Sequence, residues 1–237
     1  MRSEARTLVL IAGFMAALLV ALPFSTPLFH ALFPALDRPL YTRASFAELT
    51  FWHLALVVGA TSIAILLGVS AGIFVTREQG RRVRPLLLAV AAIGQTFPPV
   101  AVLAIMVPML GYGAGPTVIA LFTYALLPVI VNTVTGLESV ERSVLESADG
   151  MGLTPLQRLL QVELPLAAPI IFAGIRTATI INIGTATVGS TVGALTLGSP
   201  IIEGLSGSNT AYVVQGALLV AVLAVLVDRG FESFAPK

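Results

Sequence analysis

Gln95, Asn132, Arg176 and Asn182 are the side chains that could do chemistry where their surroundings cannot, because each stands inside a long apolar run. Polar groups at lipid depth are uncommon and face protein or water. Gln95 lies just before Pro98-Pro99, and those prolines must kink a helix, since each removes a backbone donor and clashes with the preceding turn. Arg176 is the most demanding: a central arginine costs about 2.5–3.5 kcal/mol on insertion scales, so it needs a partner or a wet path. All four have a plainer reading. A polar side chain can be glue between helices worth about 0.6 kcal/mol, and an arginine can snorkel to an interface. Lining of a translocation path and helix packing both stay open for Gln95, Pro98, Asn132, Arg176 and Asn182. The small residues Gly184, Ala186, Gly189 and Gly193 mark close helix packing rather than a pore.

Other chemistries are disfavoured by what the chain lacks. It has no cysteine and two histidines, His30 and His53, so no disulfide, thiol or dedicated transition-metal site is expected. The only lysine is Lys237, the last residue. A Walker A loop needs a lysine after its glycines to reach phosphate, so this chain alone is not a P-loop ATPase. No catalytic residue and no cofactor of its own are expected. A net charge of +1 gives no bulk attraction to nucleic acid.

The elements that position these residues are set by composition. Of 237 residues 57% are hydrophobic and 11% charged, against about 25% charged in soluble domains. A spanning helix needs about 20 mostly apolar residues. Six stretches qualify: Leu8–Phe24, Thr50–Val75, Leu86–Leu110, Gly115–Gly136, Leu166–Val192 and Ala211–Val227. The first has a basic flank, Arg2 and Arg6, like a signal peptide, but Pro23 follows it without a clean small-x-small cleavage site, so an uncleaved helix is expected. Ser25–Leu49 reads as an outer loop, with Phe51 and Trp52 as interface anchors after it. With six spans both termini share one side, which collects Arg2, Arg6, Arg77, Arg81, Arg82, Arg84, Arg142, Arg158, Arg229 and Lys237. The other side holds Arg38 and Arg43. The positive-inside rule then makes both termini cytoplasmic. The expectation is an all-α, multi-pass membrane protein, N-in and C-in, with residues 1–237 forming a single domain.

One polar segment, 137–165, interrupts this chain on the cytoplasmic side. Ser143 and Glu146 fit a capping box that starts a short helix. Gly150 and Gly152 can end it, because glycine takes left-handed dihedrals freely. Thr154 suits an N-cap, Pro155 the first helical position and Gln157 the reciprocal capping position. Leu156, Leu159, Leu160 and Leu164 follow at helical spacing, and Pro165 is expected to end this second helix. Its apolar stripe either packs on the chain's own spans, lies in the lipid interface or docks into a partner's groove.

The segment resembles the EAA motif of ATP-binding-cassette (ABC) importer permeases: E-A-A, three residues, G, nine residues, I-x-L-P. Here Glu146-Ser147-Ala148 is followed by Gly152 and then Val162-Glu163-Leu164-Pro165, with both spacings intact and with departures at Ser147 and Val162. Gln95–Thr133 and Ala173–Ala194 are similar to the glycine betaine, choline and carnitine permeases of that superfamily. After the fifth span that group often reads G-A-G-G-L-G, whereas this chain reads "GALTLGSPIIEGL". The resemblance implies the type I importer fold in a bacterial inner membrane. It makes Glu146, Ser147, Ala148, Gly152, Leu156, Arg158, Leu164 and Pro165 the loop that couples to an ATPase. It also implies as partners two ABC ATPase subunits, an extracytoplasmic solute-binding protein and a second permease. Aromatics are 7% of the chain and form no evident cage for a quaternary amine, so tight selection is expected on the binding protein. Two alternatives remain: an ABC permease for another small solute, such as an amino acid or oxyanion, or a stand-alone secondary transporter. The latter would want acidic sites within spans, and none of the six has an acid near its centre.

Overall fold

The computed structural model describes residues Arg2–Phe234, with side chains from Arg6 onward. Lys237 and the side chain of Arg2, counted above in the charge asymmetry, lie outside what is described. The described residues form helices and no strand: α1 (Arg2–Ala21), α2 (Thr26–Leu32), α3 (Phe46–Thr76), α4 (Glu78–Arg81), α5 (Arg84–Thr96), α6 (Pro99–Leu110), α7 (Ala114–Glu138), α8 (Arg142–Gly150), α9 (Pro155–Arg158), α10 (Leu164–Ala186), α11 (Ser199–Ser206) and α12 (Thr210–Phe234). Five stretches are long and apolar enough to cross a membrane: Arg6–Phe24, Phe46–Thr76, Ala114–Glu138, Pro155–Val192 and Thr210–Phe234. The third expected span, Leu86–Leu110, is not one helix. It is α5 and α6, which make a sixth span only as a broken pair.

The break has a local cause. A residue before proline is pushed out of the helical region, and both Phe97 (ψ 132°) and Pro98 (ψ 138°) are extended ahead of Pro98-Pro99. Pro99 then opens α6 at a position where its missing N–H is harmless.

The described residues group into two compact units. One comprises residues up to Ala60, Pro98–Leu121 and Ile180–Phe234; the other comprises Thr61–Phe97 and Phe122–Thr179. The first unit has a core of Leu49, Val57, Ile183, Leu197, Leu219 and Leu223. Its expected outer loop contains the helix α2 and is pinned onto α12: buried Gln215 accepts from the Tyr41 backbone N–H at 3.0 Å and donates to the Pro39 carbonyl at 2.6 Å. Arg43 pairs with Glu203 of α11 at 2.9 Å. His53 is fully buried; its Nε2 donates to the Ile183 carbonyl at 3.0 Å, and its Nδ1 accepts from the Leu197 N–H at 3.3 Å. It is a neutral cross-link between α3, α10 and the turn before α11.

The second unit is built around α7 and the first part of α10, with small apolar clusters centred on Ala125 and Val129, on Ile130 and Val134, and on Leu137 and Ala167. Pro128 lies inside α7, so the carbonyl of Tyr124, one turn earlier, loses its helical donor. Gln95 supplies a replacement: its Nε2 points at that carbonyl from 3.5 Å. Tyr124 in turn donates its hydroxyl to the Phe97 carbonyl at the end of α5.

Candidate functional site

The segment between α7 and α10 is assembled from local signals. The chain leaves α7 and enters α8 at Arg142, with extended Glu141 at the N-cap. The expected Ser143–Glu146 capping box does not form, because the helix begins earlier and puts Ser143 inside its first turn. Ser143 Oγ donates to the Glu141 carboxylate instead, and Glu146 accepts from Arg142 at 2.8 Å. Ser147 Oγ donates back to the Ser143 carbonyl at 2.8 Å, and Ala148 is buried. Gly152 turns the chain with φ +81°, a left-handed value glycine tolerates at no steric cost. The second capping box is formed: the Gln157 N–H donates to Thr154 Oγ1 and the Thr154 N–H donates to Gln157 Oε1.

Pro165 does not end the second helix. Five residues, Leu159–Glu163, form a π turn in which the Leu164 N–H donates to the Leu159 carbonyl, and the helix runs on through α10. The looser turn accommodates a proline that has no donor to contribute. The apolar run Pro155–Val192 is 38 residues, about 57 Å at 1.5 Å per residue. That exceeds a hydrocarbon core of about 30 Å, so the polar part through Glu163 lies outside the membrane-crossing portion.

The apolar stripe divides into two faces. Leu159 and Leu164 pack on Leu137, Ala167 and Ile171. Met151, Leu156 and Leu160 are 72%, 65% and 55% exposed. Pro165 is also exposed.

Behind the exposed face sits an ion cluster. Glu163, with 4% of its side chain exposed, accepts from both terminal nitrogens of Arg77, at 3.1 Å for Nη1, and from Arg158 Nε at 3.0 Å. Arg158 also grips Asp149 of α8 with Nη1, at 2.7 and 2.6 Å. Burial alone would push the Glu163 carboxyl up; the hydrogen bonds and charge of Arg77, then those of Arg158, outweigh it and hold the group below the usual carboxylate range. Hydrogen bonds from Arg158 to Asp149 and then to Glu163 hold its guanidinium above its usual value. Its bonds to Asp149 and Glu163 turn Arg158 toward the cluster, with about a quarter of its side chain still exposed. Sequence reasoning missed Glu163 and Arg77, although an acid at the mouth of an apolar run was a visible signal.

Gln95, Asn132 and Arg176 belong to the second unit; Pro98 and Asn182 belong to the first. Asn132 Nδ2 donates to the Pro128 carbonyl of its own helix at 2.8 Å, so its hydrogen bond lies within α7. Arg176 is half-buried and engaged, and Asn182 is fully buried. Among the described residues no cluster of His, Asp and Glu could hold a metal ion.

The described residues thus include helices of membrane-crossing length with an exposed apolar face on the segment between two of them. Residues 64–237 match the family described as "Binding-protein-dependent transport system inner membrane component". The chain belongs to that family. It is a multi-pass membrane protein, and its curated relatives are transport permease subunits. The choline transport system permease protein OpuBB of Bacillus subtilis (strain 168) is 40% identical over 76% of this chain and 82% of its own length. The osmoprotectant import permease protein OsmW of Salmonella typhimurium is 40% identical over 77% and 86%. The glycine betaine/carnitine/choline transport system permease protein OpuCB of Bacillus subtilis is 40% identical over 74% and 80%. Among solved structures, a chain of the MetNI methionine ABC transporter in an inward-facing conformation superposes with a TM-score of 0.71, over 82% of this chain and 98% of that one. At 21% identity that likeness shows the fold and carries no substrate.

Proposed function

We propose that this inner-membrane component is the permease subunit of an ATP-driven importer for a quaternary-amine compatible solute of the glycine betaine, choline and carnitine type. The observation that carries the substrate class is the 40% identity to permeases of that group over three quarters of the chain. The expected docking loop, residues 137–165, fits the mechanism: its outward leucines suit a groove on a soluble partner, and α10 follows from it without a break. ATP is hydrolysed on two ABC ATPase subunits. Their closure moves the docked loops and turns the spans between inward and outward access. Both termini lie on the ATPase side, a second permease copy or a related permease completes the pathway, and an extracytoplasmic binding protein delivers the solute. The chain contributes no covalent step and no cofactor of its own.

The test is reconstitution in liposomes. Radiolabelled betaine, choline or carnitine should accumulate only with the ATPase and ATP on one side and loaded binding protein on the other. Accumulation by this chain alone, driven by a sodium or proton gradient, would overturn the proposal.

A further inference from the structure

The exposed leucines of the 137–165 segment say where force could enter; the ion cluster behind them says where it goes. We propose that Glu163 is a positioning residue that clamps this segment to the end of α3, so that a push on Met151, Leu156 and Leu160 reaches α3 together with α10. The inference rests on the importer reading above.

Four observations carry it. First, Glu163 joins parts of the chain that share no local structure: Arg77 lies 86 residues away, at the extended residue between α3 and α4. Second, the elbow holding Arg77 is tight, since a Cβ at Gly80 would come within 2.2 Å of the Phe74 carbonyl oxygen. A pull on Arg77 is therefore a pull on α3. Third, Glu163 ends the π turn that separates the docking helix from α10. A π turn carries one residue more than an α turn, which rotates the faces on its two sides by about 100° relative to one another. It is also the weak point of the helix, where bending would dissipate movement unless a side chain bridged it. Arg158, just before that turn, and Glu163, its last residue, bond directly at 3.0 Å. Fourth, the arrangement is not optimised for stability. Arg77 Nε is buried without a hydrogen-bond partner, and buried ion pairs generally add little over well-packed apolar residues. What such a cluster supplies is directional attachment. Asp149 extends it to α8 through Arg158, so both short helices of the segment move with the clamp.

The experiment uses the complete importer, permease with ATPase and binding protein, carrying Glu163→Gln. Basal ATP hydrolysis, its stimulation by loaded binding protein and solute taken up per ATP are measured per assembled complex. Glu163 is buried away from the docking face, so assembly and basal hydrolysis should stay near wild type. Stimulation and uptake per ATP should fall about tenfold. Exchanging the charges, Arg77→Glu with Glu163→Arg, should recover more uptake per ATP than either single change. If Glu163→Gln does not assemble, Arg77→Gln decides the matter by the same ratio. Wild-type uptake per ATP in the assembled variant, or no recovery on exchange, overturns the clamp. A wild-type complex without ATP-dependent uptake would instead overturn the importer reading.

Discussion

Gly174→Ala should destabilise this protein, whereas Gly184→Ala on the same helix should not. A Cβ at Gly174 would lie 2.5 Å from Asn132 Cβ and 2.8 Å from the Pro128 carbonyl oxygen. Carbon atoms pack at about 3.5–4.0 Å, so α10 and α7 would have to part by about 1 Å. No rotamer change relieves this, since the clashing atoms are a Cβ and a backbone oxygen, and the Asn132 amide is itself held on that oxygen at 2.8 Å. Overpacking of this kind costs about 1–3 kcal/mol. A clash with a Cβ and a backbone oxygen belongs in the upper half of that range; alanine's helix propensity returns about 0.8–1.0 kcal/mol, leaving a net loss of about 1–2 kcal/mol. For chains of this size about 1 kcal/mol moves Tm by 2–4 °C, so a fall of about 5 °C is expected. Gly184, contrary to the close packing expected of it from the sequence, is exposed and has no atom within 4 Å of its Cβ position, so its alanine variant keeps the propensity gain. Thermal unfolding of the detergent-purified proteins, followed by loss of the monodisperse chromatographic peak, compares the two. Equal midpoints for both variants would refute the claim that Gly174 sets the α7–α10 distance.

Gly152→Pro should abolish uptake while leaving the protein in the membrane, because proline cannot adopt φ +81°; uptake and membrane level are measured in the same cells, and normal uptake would separate the turn from transport. The Glu163 carboxyl gives a pH dependence. Its folded value is lowered below the ordinary 4.5, so its contribution to stability is present above about pH 4.5 and is lost as pH falls through the lowered value. Wild-type Tm should therefore decline more steeply than that of Glu163→Gln below pH 4.5, and parallel declines would contradict the assignment.

What could be read from the sequence was what short-range physics decides. The Thr154–Gln157 capping box, the Gly152 turn and the break at Pro98-Pro99 depend on residues within four positions of one another, and all are present. The Ser143 box failed on the same scale, because two neighbouring residues competed for the N-cap and Glu141 took it. The π turn left no compositional trace. The short helix α2 lies in a segment that reads as loop, because a stretch rich in proline does not display an apolar period long enough to detect. The Glu163–Arg77 pair and the His53 bridge join residues 86 and 130 positions apart, and one sequence cannot say which distant polar groups meet. His53 was considered only as a metal ligand, whereas its burial makes it a hydrogen-bond bridge.

The central claim is that the 137–165 segment docks on an ATPase through a defined face, and the absence of native cysteine makes it directly testable. Single cysteines at Leu156, Leu160, Leu159 and Leu164 can be cross-linked, in membranes containing the assembled importer, to cysteines placed around the groove of the ATPase subunit. Leu156→Cys and Leu160→Cys should cross-link to the ATPase, with yields that change on adding ATP, while Leu159→Cys and Leu164→Cys, turned inward, should not. Equal cross-linking from all four positions, or none from the two exposed ones in a complex that transports, would contradict the account.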